Sequence, residues 1–145
     1  GGAYLQYCTE KATAIVAVEP IEQLHSKIER AAAQAKLEDK LTIFKDISEI
    51  DPAEYQFDWI ILGNVLCEVG SVSETLVQLD RLLTPGGKVY FSEHVAHTYG
   101  TFRRRLQDWV NPMWKLYLGG CNCNRDSIEW MRQTTKWGRA SQIFL

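Results

Sequence analysis

The sequence has no run of 18 apolar residues, so no segment of it reads as a membrane-spanning helix. It carries no signal-peptide pattern of charged start, apolar stretch and small-residue cleavage site. Basic charge is not in excess: the formal net charge is -2. That argues against a nucleic-acid partner, because phosphate binding needs concentrated Lys and Arg. The one basic cluster, Arg103-Arg104-Arg105, falls in a helical pattern and reads as a solvated face. Zinc-type cysteine spacing is also missing. Of the four cysteines, Cys121 and Cys123 are one residue apart and no second close pair follows. No metal-ligand cluster is legible, so the expectation is no metal. Free thiols point to a reducing, intracellular compartment, either the cytoplasm or the surface of an intracellular membrane. Internal repeats, low-complexity tracts and linkers are absent. So is an initiator methionine: the chain opens Gly1-Gly2 and reads as a fragment or a processed chain.

What is present suits one globular domain over residues 1–145, at 46% hydrophobic and 23% charged. Thr13 to Val18 is a short β-branched run with the length of a strand buried on both faces. Ile21, Leu24, Ile28, Ala31 and Ala35 follow at helical spacing, and Pro20 suits that helix's start. Lys40 to Lys45 and Phe57 to Leu62 read as a second and third strand. Glu74 to Leu83 reads as an amphipathic helix, stopped by Thr84-Pro85-Gly86-Gly87. Lys88 to Ser92 reads as a fourth strand. Thr101 to Leu118 is an aromatic helix interrupted near Pro112, Arg125 to Thr134 a further helix with Asp126 at its first turn, and Arg139 to Leu145 a last strand. Strands alternating with helices imply an α/β fold, a parallel sheet with helices on both faces. Ligands in such sheets bind beyond the carboxyl ends of the strands.

The residues just past each strand are therefore the candidates. Glu19 can accept two hydrogen bonds from vicinal ribose hydroxyls, as acids do some 20 residues after a glycine-rich turn. Gly1-Gly2 lies 17 to 18 residues upstream. The bland alternative is a solvated strand-end carboxylate. Asp46 can accept an adenine amino group, with Ile47 against the ring; the alternative is a cap before Ser48. Gly63 permits close backbone approach to a ligand. Cys67 sits in an apolar run, where a thiol behaves as a small hydrophobe, and no neighbouring base is evident for it. His94 ends the fourth strand and has the chemistry to accept a proton at neutral pH; the alternative is a structural His.

The combination of these features resembles class I S-adenosylmethionine-dependent methyltransferases of the Rossmann-like type. The most specific piece is LDRLLTPGGKVYFS, Leu79 to Ser92. VAVEP, KDI and FDWIILGNVLCEV are similar to the family's segments around its nucleotide-binding strands. VLCEV, SEHVA, NPMWKLYLGGC and CNRDSIEW resemble the branch that includes membrane-associated thiol S-methyltransferases. The resemblance implies a doubly wound, mostly parallel sheet and S-adenosyl-L-methionine as cofactor. Glu19 and Pro20 would hold the ribose, and Asp46 and Ile47 the adenine. Gly1 and Gly2 would end the glycine loop, and Gly63, Asn64 and Cys67 would lie near the methionine end. His94 would act as the catalytic base. With Trp109 and Trp114 it would face a small acceptor, a thiol or another lipophilic compound.

The resemblance also implies that the family's first strand and most of its glycine loop are missing, leaving the strands ending at Val18 and Leu62 without a shared partner. Trp109 to Leu118 is either a core lid over the acceptor or a peripheral membrane contact. Two other readings stand beside the enzyme: a non-catalytic binding protein of the same fold, and a nicotinamide-dependent oxidoreductase.

Overall fold

The structure is a computed structural model that describes residues 2–8 and 11–134. The predicted strand from Arg139 to Leu145 lies outside these residues, as does Gly1. The chain divides into two compact units, Gly1–Tyr55 and Gln56–Leu145.

The first unit is built on a βαβ element. Strand β1 (Ile15–Val18) runs parallel to β2 (Leu41–Phe44), with Ile15 opposite Leu41 and Val18 opposite Phe44. Helix α1 (His25–Gln34) joins them, preceded by a short 3-10 turn at Glu22–Leu24. That turn corrects the single helix expected from Ile21. Ile21 is exposed, and the buried positions are Ile28 and Ala32 rather than Ala35. They pack with Leu5, against Ile15, Ala17, Leu41 and Ile43. β1 is only half-buried, with Val18 exposed, so it is not the strand covered on both faces that its composition predicts. α1 ends without glycine. Lys36 takes the left-handed position (φ 57), its N–H donates to the Ala33 carbonyl, and that of Leu37 donates to Ala32. This is the paired bonding of a Schellman cap.

The second unit repeats the plan. Strand β3 (Phe57–Gly63) pairs in parallel with β4 (Leu83–Ser92), and α2 (Val72–Leu82) connects them. Ser71 caps α2 by accepting the Glu74 N–H at 3.3 Å. Val72, Leu76, Leu79 and Leu82 form its buried stripe. β4 begins earlier than the sequence suggests, because Leu83 already pairs with Phe57. The regular ladder resumes at Trp59 and Lys88, so Thr84-Pro85-Gly86-Gly87 bulges out between the two. Glycine is required twice there. Gly86 has φ +84, and a Cβ on Gly87 would lie 2.8 Å from a Leu83 methyl.

Helix α3 (Phe102–Tyr117) is continuous through Pro112, not interrupted there. Helix α4 (Ser127–Thr134) packs on α2 and is started by Asp126, whose carboxylate accepts the Glu129 N–H. The strands are parallel and alternate with helices, as the pattern requires. Among the described residues β1 pairs with β2 and β3 with β4, one parallel ladder in each unit.

Candidate active site

In the first unit the carboxyl ends of β1 and β2 bring Glu19 and Asp46 to the same rim. The Glu19 N–H continues the ladder to the Phe44 carbonyl at 2.9 Å. Its Oε1 accepts the Ile21 N–H at 3.2 Å, across Pro20. His25 Nε2 lies 2.8 Å from the Glu19 carbonyl, tying the start of α1 to the end of β1. Asp46 Oδ1 accepts both the N–H and the hydroxyl of Ser48, at 2.8 and 2.6 Å. Glu49 returns a bond to the Asp46 N–H, completing a capping box around the 3-10 turn at Ile47–Glu49. The two Ser48 bonds hold the Asp46 carboxyl below the usual aspartate range. The cap reading of Asp46 is thus real, and both Ser48 bonds fall on one of its two oxygens.

Gly2 has φ +78, and a Cβ there would stand 3.1 Å from the Ala31 Cβ and 3.2 Å from the Ile28 Cα. Its backbone lies close against α1, where a Cβ would push its neighbours aside by a few tenths of an ångström, and its positive φ strains any other residue.

In the second unit the turn after β3 and the end of β4 are locked together. Asn64 adopts the left-handed region (φ 56), which asparagine tolerates better than most residues. Its N–H donates to the Ser92 carbonyl at 2.8 Å. Glu93 accepts the Val65 N–H at 2.8 Å and the Cys67 N–H at 3.3 Å. Burial pushes the Glu93 carboxyl up, and the backbone donors oppose that push.

Arg125 reaches back to the same turn, donating to the Leu66 carbonyl at 2.8 Å and the Val69 carbonyl at 2.5 Å. Asn122 donates twice to the Cys67 carbonyl, through its backbone N–H at 2.9 Å and its amide at 3.1 Å. Cys67 is fully buried, and its thiol faces the Asn64 carbonyl and Cys121, whose Sγ is 3.1 Å away. Its burial matches the small hydrophobe read from the sequence, but a base does stand nearby: His94 Nδ1 sits 3.3 Å from Cys121 Sγ. Burial, then the Cys121 contact, pushes the Cys67 thiol far above the usual thiol range.

Beside His94 opens a cavity of about 460 Å³, within the range of small-ligand sites. Val95, Leu106, Val110 and Trp114 supply apolar walls; Gln107 and Arg103 add polar ones. The Trp114 ring meets His94 edge-on at 5.8 Å, and its indole N–H is buried with no partner. Gln107 holds the floor together: its amide donates to the Val95 and Cys123 carbonyls, and its oxygen accepts the His97 N–H at 2.7 Å.

Trp114 therefore faces the cavity as expected. Trp109 does not: it is 78% exposed on the opposite face of α3, with Phe102, Met113, Leu116 and Tyr117. Arg104 pairs with Asp108 at 3.0 Å, Arg105 is exposed as the solvated face predicted, and Arg103, also exposed, borders the cavity instead. Arg125 and Asn122 were not singled out in the sequence, since they act on partners 55 to 59 positions away. The acid and imidazole at consecutive positions, Glu93-His94, were the one local hint.

Thiol S-methyltransferase TMT1A of Homo sapiens is 37% identical over 75 residues, 52% of this chain and 31% of that protein. Thiol S-methyltransferase TMT1B of Homo sapiens is 36% identical over 75 residues, again 52% and 31%. The TMT1B protein of Rattus norvegicus is 30% identical over 98 residues, 59% of this chain and 40% of that one. The chain spans only 31 to 40% of the length of these relatives. The methyltransferase domain matches residues 1–135, nearly the whole chain, and removes the nicotinamide-dependent oxidoreductase as an alternative. The chain, a Rossmann-like α/β protein, belongs to the methyltransferase domain family.

Proposed function

We propose that the protein transfers a methyl group from S-adenosylmethionine to a small apolar thiol, inside the cell. The observation that carries this reading is the shared rim of Glu19 and Asp46 on adjacent parallel strands. Such strands run about 4.8 Å apart, so one nucleoside is within reach of both carboxylates. Glu19, with Pro20, takes the ribose hydroxyls; the free Asp46 oxygen takes the adenine amino group, with Ile47 against the ring. Gly1 and Gly2 serve the amino-acid end, a reading supported by the positive φ of Gly2 and its tight approach to α1. The family resemblance assigns Gly63, Asn64 and the Cys67 backbone to the methionine moiety.

The cofactor supplies a methyl group on an activated sulfonium; the protein supplies position and a dry pocket. The apolar cavity next to His94 suits a small lipophilic acceptor, and the Trp114 N–H offers it one donor. With Nδ1 donating to Cys121, His94 keeps its Nε2 lone pair to receive the acceptor's proton. The protons then run consistently: Cys121 S–H to Cys67, and Cys67 S–H to the Asn64 carbonyl.

The test is a methyl-transfer assay on the whole protein with S-adenosylmethionine and a panel of alkyl thiols, phenols and amines. Thiols are expected to be methylated. Glu19→Ala should raise the KM for S-adenosylmethionine about tenfold, the equivalent of 1.4 kcal/mol. His94→Ala should lower kcat by about 10²- to 10⁴-fold. Transfer to phenols or amines but not thiols overturns the acceptor assignment. Cofactor affinity indifferent to both Glu19→Ala and Asp46→Ala overturns the nucleoside site.

A second role is supported by the outer face of α3. Phe102, Trp109, Met113, Leu116 and Tyr117 are 64 to 78% exposed, with Arg103, Arg105 and Lys115 alongside. An amphipathic helix of that composition suits peripheral contact with an anionic lipid surface. No helix among the described residues is long and apolar enough to cross a membrane. Co-flotation with anionic vesicles, lost on Trp109→Asp with Leu116→Asp, is the expected result. Equal flotation of the variant rules the face out.

A further inference from the structure

We propose that Cys67, Cys121 and His94 form a zinc site, with two thiolates and the imidazole Nδ1 as ligands and a fourth position left to water or a small thiol. The two sulfurs and the ring nitrogen all lie within 4.8 Å of one another. Cys121 Sγ is 3.1 Å from Cys67 Sγ and 3.3 Å from His94 Nδ1. These ligands come from three places in the chain: the turn after β3, the end of β4 and the loop after α3. Two thiolates on a tetrahedral zinc, each at about 2.3 Å, stand roughly 3.8 Å apart. The sulfurs need to part by well under 1 Å to admit the ion.

The donor set selects the metal. Two sulfurs and an imidazole suit a thiophilic, borderline-soft ion and exclude magnesium and calcium, which take oxygen. Two thiolates and a neutral ring also balance the charge of a divalent cation.

The surroundings have the features of a held site. Asn122 bonds the Cys67 carbonyl twice, Glu93 accepts the Cys67 N–H, and Arg125 fixes the same turn. Outer bonds of this kind hold metal ligands in place. Both cysteines are buried while His94 is exposed and borders the cavity, which gives the ion an entry path.

A disulfide is the rival chemistry for a close thiol pair. It needs the sulfurs at about 2.05 Å and an oxidant at a buried position, and it leaves His94 without a part. The zinc site does not depend on the methyl-transfer reading. Zinc on Nδ1 moves the ring proton to Nε2, so the base role given to His94 above belongs to the metal-free protein, and the loaded protein holds His94 as a ligand only.

Cobalt(II) is the spectroscopic probe, titrated into the reduced, folded whole protein without cofactor or acceptor. One equivalent is expected to bind with thiolate-to-cobalt charge-transfer absorption, and zinc should displace it. Cys67→Ser and Cys121→Ser should each weaken binding at least tenfold, as should His94→Ala, which alters an exposed ligand and spares the core. His94→Cys should keep the metal on three sulfurs, and Cys8→Ser should change nothing. The proposal is overturned if the folded protein gives no charge-transfer band. It is equally overturned if the cysteine variants bind as the parent does, or if protein prepared with zinc and without reductant carries a Cys67–Cys121 disulfide.

Discussion

In the first unit the strand-end groups are shaped by near neighbours. The Glu19 carboxylate accepts from Ile21, and Asp46 bonds Ser48 and Glu49, contacts that span two or three positions, while the Glu19 backbone is tied to Phe44 and His25. In the second unit the bonds that shape the turn after β3 span 26 to 59 positions: Glu93 on Val65 and Cys67, Cys121 and Asn122 on Cys67, Arg125 on Leu66 and Val69. Both units are βαβ elements with parallel strands. They differ in where the specificity of the rim is stored. A rim held by local bonds survives as long as its own strand and turn form, whereas a rim held by distant bonds exists only when the whole unit has folded. The second rim can therefore hold a buried thiol pair beside a cavity, while the first presents a half-buried Glu19 and an exposed Asp46.

The sharpest way to break this contrast is to cut the longest strap. Arg125→Leu removes two charge-assisted bonds to backbone carbonyls of the turn at 66–69. Bonds to charged groups contribute about 1.5–3 kcal/mol each, and unsatisfied buried carbonyls add to the loss. We expect a fall of about 3 kcal/mol in the urea unfolding free energy of the second unit. Arg125→Lys should recover only part of it, because a single ammonium cannot copy the planar fork. A loss below about 1 kcal/mol would mean that the turn holds itself, and the distinction between the two rims would vanish.

A smaller effect is expected from the local bonds. Asp46→Ala removes a cap and should cost about 1 kcal/mol, with no change in the second unit. Its pH dependence has a definite sign. The folded carboxyl is held below the usual aspartate range by Ser48. The stabilisation is thus complete above the ordinary aspartate value of about 3.9 and fades as pH falls through the lower folded value. Melting temperatures from pH 6 downward should show the parent losing its advantage over Asp46→Ala as the acid range is entered. A gap that stays constant through that range would remove Asp46's charge from the account.

The same contrast explains what was legible before the fold was known. β1 to β4, α2 and the glycine turn before Lys88 follow from periodicity and turn chemistry, which are local. Glu19 and Asp46 were singled out because strand ends are positions that sequence marks. The partnership of Cys67, Cys121 and His94 was invisible: the spacings of 27 and 54 residues match no motif, and only the strapping by Asn122 and Arg125 brings the three together. The continuity of α3 was misread because Pro112 penalises a helix interior, yet the inward side chains of Gln107, Val110 and Trp114 hold the helix against the cavity. Trp109 was placed inward by the family resemblance. One helical face cannot bury both Trp109 and Trp114, which lie five positions apart, and the structure turns Trp109 out.

The smallest effect sharpens the contrast from the other side, because it should strengthen the first unit without touching any bond of the second. Lys36 ends α1 in the left-handed region with φ 57, and its N–H and that of Leu37 are already satisfied by Ala33 and Ala32. A residue with a Cβ pays roughly 1–2 kcal/mol in that conformation, and glycine does not. Glycine gives back about 0.5–1 kcal/mol through the greater freedom of its unfolded chain. Lys36→Gly should therefore raise the stability of the first unit by about 0.5 kcal/mol, read as a higher urea midpoint with an unchanged slope. The Schellman bonds are backbone bonds, so they persist in the variant. Hydrogen exchange at the Leu37 amide should slow in step with the gain, while amides of the turn at 65–69 stay as they were. If the second unit gained as much, its stability would be coupled to the first, and the local character assigned to the Glu19 and Asp46 rim would have to be given up.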